Sequence, residues 1–226
     1  MDAQNMAHKI LWGNQDVQLR TTRQLADLGS GPSAILVDLM EHKDPLVRET
    51  AIETLFAAAG PSAIAPVENY LKSEIDPDIL YTVLRKLGET RSAKSQKILE
   101  SYFDHENEDL VIAAVEGAAN VAVGSLGNKL IPLLEDKRWR VRVAALEAIK
   151  EKGGSDPGLF GMIRGRETVL APAIAEAVMR CLDDSDEFVR HTAAVTLGEL
   201  KVFQAEQPLK NAYKKHEGMH GVIIGV

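Results

Sequence analysis

Residues 44–60 read DPLVRETAIETLFAAAG, and the chemistry of a capped helix is written along them. Asp44 precedes Pro45, so a carboxylate is placed to accept the N–H groups that a helix start leaves unbonded, and the proline has no N–H to satisfy. Val47, Ala51 and Leu55 then recur every four residues, which keeps them on one helical face. The turn residues Gly60, Pro61 and Ser62 close the run.

Outward from this stretch the same pattern returns. The anchor Val47, which precedes Arg48, has counterparts in Leu19, Ile79, Leu110, Val141 and Val189, at successive intervals of 28, 32, 31, 31 and 48 residues along the chain. Three residues before the anchor stands Asp16, Asp44, Asp76, Asn107 or Asp186, and only Arg138 breaks the series. Four and eight residues after it come Val83 and Leu87, Ala114 and Ala118, Ala145 and Ile149, Ala193 and Leu197. The capped helices are predicted near 17–28, 45–58, 77–89, 108–121, 139–151 and 187–200. A further apolar helix is expected ahead of each of the last five at 32–41, 61–72, 92–103, 127–135 and 171–182, with 6–12 as the worn first helix of the opening pair and 204–215 opening an incomplete last unit. A unit that cannot bury its apolar face alone must stack on its neighbours. The expected fold is therefore all-α: one domain over residues 1–226, an α-solenoid of about six helix pairs.

Composition is consistent with this and narrows the function. Hydrophobic residues make up 45% of the chain and charged residues 26%, the balance of a folded protein with a sizeable core. A net charge of −7 argues against non-specific nucleic-acid binding, which needs a basic footprint. The single cysteine, Cys181, has no internal partner and reads as a buried small hydrophobe in a reducing compartment. With no signal-like opening and no apolar run of membrane-spanning length, a cytoplasmic protein without membrane association is expected.

The D-P-x-V-R-x-x-A pattern of Asp44 to Ala51, echoed at Asp186, Val189, Arg190 and Ala193, resembles the HEAT repeat, and more narrowly the HEAT-like repeat named after phycobilisome lyases. The resemblance spans roughly residues 16–215. It implies a right-handed superhelix whose second helices line the concave face. It also implies that Arg20, Arg48, Arg142 and Arg190 pair with the capping aspartate of an adjacent unit, although Leu80 and Val111 stand where two further arginines belong. For some members it implies handling of a bilin chromophore.

On such a scaffold the positions two, six and ten after each anchor face away from the buried side. The first row is Glu49, Tyr81, Ile112, Val143 and His191; the second is Glu53, Arg85, Glu116, Glu147 and Val195; the third is Ala57, Glu89, Asn120, Glu151 and Glu199. Tyr81, Ile112 and Val143 form an apolar line beside Glu116 and Glu147, which suits a partner segment that is both apolar and basic. The alternative is that these side chains are covered by neighbouring helices. The long interval before Val189 carries 17 extra residues, placed as an inserted loop at 152–170. Its Phe160, Arg164 and Arg166 are candidate partner contacts, and with Lys137, Arg138, Trp139, Arg140 and Lys150 they would form a basic–aromatic patch; the alternative is a divergent helical turn filling a gap in the stack.

No Ser/His/Asp arrangement, phosphate loop or metal cluster emerges, so the expectation is a non-enzymatic protein-interaction scaffold with no cofactor. His216 and His220 match the HExxH spacing of zinc proteases, but Gly218 and Gly221 weaken the helix that chemistry needs, and no metal is expected there. The apolar ending at 222–226 fits folding back, self-association through the C-terminal end, or the continuation of a longer chain. A DNA-base repair enzyme on this scaffold would need a basic concave face, against which the glutamate rows argue.

Overall fold

The computed structural model describes residues 8–9, 12–14, 16–17, 20, 31–121, 126–152, 160–164 and 167–215. Short and long helices alternate along it: α1 (Gly31–Leu39), α2 (Pro45–Ala59), α3 (Ile64–Tyr70), α4 (Pro77–Glu89), α5 (Ala93–Glu100), α6 (Glu108–Val121), α7 (Gly127–Leu130), α8 (Trp139–Lys152), α9 (Pro172–Arg180), α10 (Glu187–Glu199) and α11 (Glu206–Lys215). The odd-numbered helices are the first members of each pair and the even-numbered ones the second. Successive second helices pack side by side, α2 on α4, α4 on α6, α6 on α8 and α8 on α10, which makes an all-α solenoid.

The caps follow the aspartate series. Asp44 accepts the Leu46 N–H at 3.0 Å, Asp76 that of Asp78 at 3.1 Å, Asn107 that of Asp109 at 2.9 Å and Asp186 that of Phe188 at 2.9 Å. The first unit differs: Asp16 is itself helical, and Asn14 accepts the Val17 N–H at 3.0 Å. A second periodic device sits two residues before the cap. His42, Glu74, His105, Asp136 and Asp184 each accept the N–H of the cap residue, at distances of 2.8–3.1 Å. These side chains shape the turn between paired helices by satisfying a backbone donor that a tight turn strands.

The residues four and eight after each anchor are all buried from Ala51 to Leu197, so the helical period chose the core face correctly. The seam between α4 and α6 is especially tight. A Cβ built on Gly88 would stand 2.7 Å from the Gly117 Cα, and one on Gly117 would meet the Leu84 carbonyl oxygen at 3.2 Å. Only two glycines allow backbones to approach this closely.

The expected pairing with the capping aspartate of the adjacent unit is met at Arg48, while Arg20, Arg142 and Arg190 work differently. Arg48 binds Glu74 at 2.9 Å and reaches the capping Asp76 only at 3.5 Å, while it donates to the carbonyl of His42 at 3.1 Å. Arg142 pairs with Asp184 at 2.6 Å, two residues ahead of the cap Asp186, and donates to the Asp136 carbonyl at 2.7 Å. Arg190 donates to the carbonyls of Asp184 and Ser185, and Arg20 to that of Asp16. In Arg48, Arg142 and Arg190 the guanidinium thus braces the turn preceding its own helix, and in Arg48 and Arg142 it also takes the turn-shaping acid of the next unit. Where Val111 replaces the arginine, Arg138 supplies the guanidinium from the following unit. It donates to the carbonyls of His105 at 2.9 Å and Glu106 at 3.1 Å and pairs with Asp136 at 2.7 Å. The residue that broke the cap series therefore fills the gap that Val111 leaves in the arginine ladder, while the gap at Leu80 stays open.

The inserted stretch is neither an open loop nor a helical turn over its described residues. α8 continues to Lys152, and strands β1 (Phe160–Arg164) and β2 (Glu167–Leu170) form an antiparallel hairpin with Phe160 opposite Leu170 and Arg164 opposite Glu167. Aromatic and β-branched residues in both runs suit paired strands better than a helix. Leu170 is buried in the core. Arg166, the residues His216 to His220 and the apolar ending lie outside the described residues. No helix among the described residues is long and apolar enough to cross a membrane.

Candidate functional site

Among the described residues, none of the positions two, six and ten after the anchors is buried. Tyr81 on α4 is exposed, while Ile112 on α6 and Val143 on α8 are half-buried and rest against the core. The apolar line is thus neither fully covered nor fully in water. Ile112 and Val143 form the floor of a groove of roughly 490 Å³ between α6 and α8, together with Ala144 and Ala148. Glu116, Glu147 and Glu151 line it too, with Asn120 beside them, and Trp139 and Arg140 stand at the N-terminal end of α8. Tyr81 lies outside that lining, on the next helix of the same face.

The charges of this groove are poorly answered. Glu147 pairs with Lys150 at 2.5 Å, but no ion pair among the described residues reaches Glu116 or Glu151. Burial lifts the Glu116 carboxyl above its ordinary value, the nearby Glu151 charge lifts it further, and Arg85 offsets part of this. On the face built by the first helices, acids are instead paired unit by unit. Glu68 meets Lys94 at 2.8 Å, Glu100 meets Lys129, Glu135 meets Arg180 at 2.9 Å and Asp183 meets Lys215 at 2.5 Å, in each case an acid of one unit with a base of the next.

Three basic members of the patch drawn from sequence are engaged within the fold, while Lys137 is exposed. Arg138 is spent on the turn, Arg140 is held by Asp109 at 2.9 Å and Glu108 at 3.3 Å, and Lys150 is held by Glu147. Trp139 stacks on Phe188 of α10, with centroids 5.4 Å apart and planes inclined by 24°. Both rings remain well exposed, at 41% and 58%. The sequence rows did not single out this pair, because Trp139 and Phe188 sit two residues and one residue ahead of their anchors, respectively, in the first helical turn. Phe160 and Arg164 occupy β1.

A second cavity, of roughly 430 Å³, lies on the turn side, lined by Arg142, Asp184 and Cys181 among others. Burial pushes the Cys181 thiol up to about 11, with the Asp184 charge adding to the rise, so it remains a protonated thiol at neutral pH and a poor nucleophile. Among the described residues no group of His, Cys, Asp and Glu side chains is placed to hold a metal ion.

Residues 35–120 match the family model described as HEAT repeats. No curated protein matches the chain at a significant level. Among solved structures, a designed armadillo repeat protein in complex with the peptide (KR)4 is similar at 16% identity and a TM-score of 0.53, over 88% of this chain and 100% of that one. An engineered protein from the Northeast Structural Genomics Consortium is similar at 19% identity and a TM-score of 0.50, over 89% and 97%. The complex of CpcE and CpcF of phycocyanin lyase from Nostoc sp. PCC7120 gives 14% identity and a TM-score of 0.48, over 98% and 90%.

Proposed function

We propose that this chain, built of HEAT repeats, is a non-enzymatic scaffold that binds an apolar, basic segment of another protein along its second-helix face. The observation that carries this reading is the groove between α6 and α8, whose apolar floor of Ile112 and Val143 is edged by Glu116 and Glu151 without paired cations. A face that holds like charges together at a cost to its own stability fits one that receives the compensating charge from a partner. Tyr81 and Glu147 extend the same surface. The designed armadillo protein of the same fold is described with a basic peptide, which supports the idea that such a face can host one.

Selection from a displayed random-peptide library tests it. Segments rich in Lys or Arg and in apolar residues are expected to be enriched, and the double variant Tyr81→Asp/Ile112→Asp should lose them while keeping its helicity. Enrichment of acidic segments, or undiminished capture by the variant, overturns the reading. A bilin that shifted its absorbance on mixing with the protein would favour chromophore handling instead.

A further inference from the structure

We infer that the second-helix face reads two partner side chains at a fixed separation: an apolar side chain on the Trp139–Phe188 stack, where Trp139 opens the groove and Phe188 flanks it from α10, and a lysine or arginine about five residues away along an extended segment, held at Glu116 and Glu151. This rests on the proposed second-helix binding face and specifies what that face recognises.

The separation comes from α8, which supplies both ends of the groove. Trp139 and Glu151 line the same groove and lie 12 residues apart on one helix. At 1.5 Å per residue they are about 18 Å apart. An extended chain advances about 3.3 Å per residue, so about five residues cover that length.

The two ends differ in chemistry. At the N-terminal end two stacked rings stay well exposed and offer an apolar platform. Towards the other end the carboxylates of Glu116 and Glu151 have no ion pair among the described residues, and the two raise each other's negative potential. Between the ends, Ile112, Val143 and Ala148 offer a floor on which the methylene stem of a lysine can lie while its head reaches the carboxylates.

Synthetic peptides carrying one leucine and one lysine in a serine background, separated by two to nine residues, test this by fluorescence anisotropy. Affinity should peak at a separation of about five and fall by about tenfold at either extreme. Replacing the lysine by norleucine should weaken binding to the wild-type protein by about tenfold but leave binding to the Glu116→Gln/Glu151→Gln variant unchanged. Replacing the leucine by serine should likewise lose its effect in a Trp139→Ala/Phe188→Ala variant that retains its helicity. Affinity indifferent to separation, or a norleucine effect of equal size in the carboxamide variant, overturns this inference and leaves the binding face standing. Failure of every peptide to bind overturns both.

Discussion

Glu74 and Glu116 show what the turn edge and the second-helix groove are each built for. Glu74, in the turn before α4, receives Arg48, the Tyr70 hydroxyl and the N–H groups of Ile75 and Asp76. Burial alone would raise its carboxyl, but these hydrogen bonds outweigh that and hold it below the usual carboxylate range. Glu116 is also partly desolvated, yet it faces Glu151 and is raised. One carboxylate is wired into the fold and stabilises it; the other is tolerated by the fold at a cost. The difference separates construction from binding within a single repeat pattern, and four substitutions press on it.

The largest effect is expected at the turn edge. Arg142→Ala leaves the nearly buried Asp184 carboxylate without its cation and the Asp136 carbonyl without its donor. Loss of one partner of such a pair costs about 3–5 kcal/mol, which thermal or denaturant unfolding would register directly. A loss below about 1 kcal/mol would mean that the ladder is decorative.

Next comes Glu74→Gln, with an expected loss of about 1–3 kcal/mol at neutral pH and a distinctive pH dependence. Because Glu74 is lowered in the folded state, its contribution is complete above the unfolded carboxylate value of about 4.3 and drains away as the pH falls through the folded value. Wild type and variant should therefore converge in acid. A constant difference across that window would show that the charge is not what matters.

Gly88→Ala probes the α4–α6 seam, where Leu80 stands in the arginine position and close backbone approach takes over. The added methyl collides with the Gly117 Cα, an overpacking cost of about 1–3 kcal/mol that the better helix propensity of alanine offsets by about 1 kcal/mol. Unchanged stability would show that the two helices can separate freely.

The smallest effect has the opposite sign. Glu116→Gln should stabilise the protein at neutral pH, by less than about 0.5 kcal/mol because the carboxylate is partly solvated. Its raised folded value means that the penalty is absent below the unfolded value, sets in as the pH rises through the interval between the two, and is complete above the folded value. The gain should disappear in acid. A loss of stability at neutral pH would reassign Glu116 to the turn-edge class.

Much of this was legible in the residues. The aspartate series and the four-residue apolar spacing located α2, α4, α6 and α10 to within about two residues, because caps and faces are local properties of a helix. The outward rows likewise placed Ile112, Val143, Glu116 and Glu147 on one groove. The turn acceptors His42, Glu74, His105, Asp136 and Asp184 were equally periodic, five residues before each anchor, but their mixture of residue types hid one shared role as acceptors. Arg138 could not be understood locally, since its partners at His105 and Glu106 belong to the previous unit. The hairpin left a readable trace, two β-prone runs separated by Gly165 and Arg166, which the surrounding helical repeat obscured. The Trp139–Phe188 stack depends on how α8 and α10 are juxtaposed, and no single helix encodes that.

The central claim is that the second-helix groove is the binding face, and amide chemical-shift mapping during titration with a (KR)4 peptide tests it most directly. The account predicts perturbations concentrated at Ile112, Glu116, Asn120, Val143, Glu147 and Glu151. Perturbations concentrated instead on the first-helix acids Glu68, Glu100 and Glu135, or none at all at saturating peptide, would contradict it.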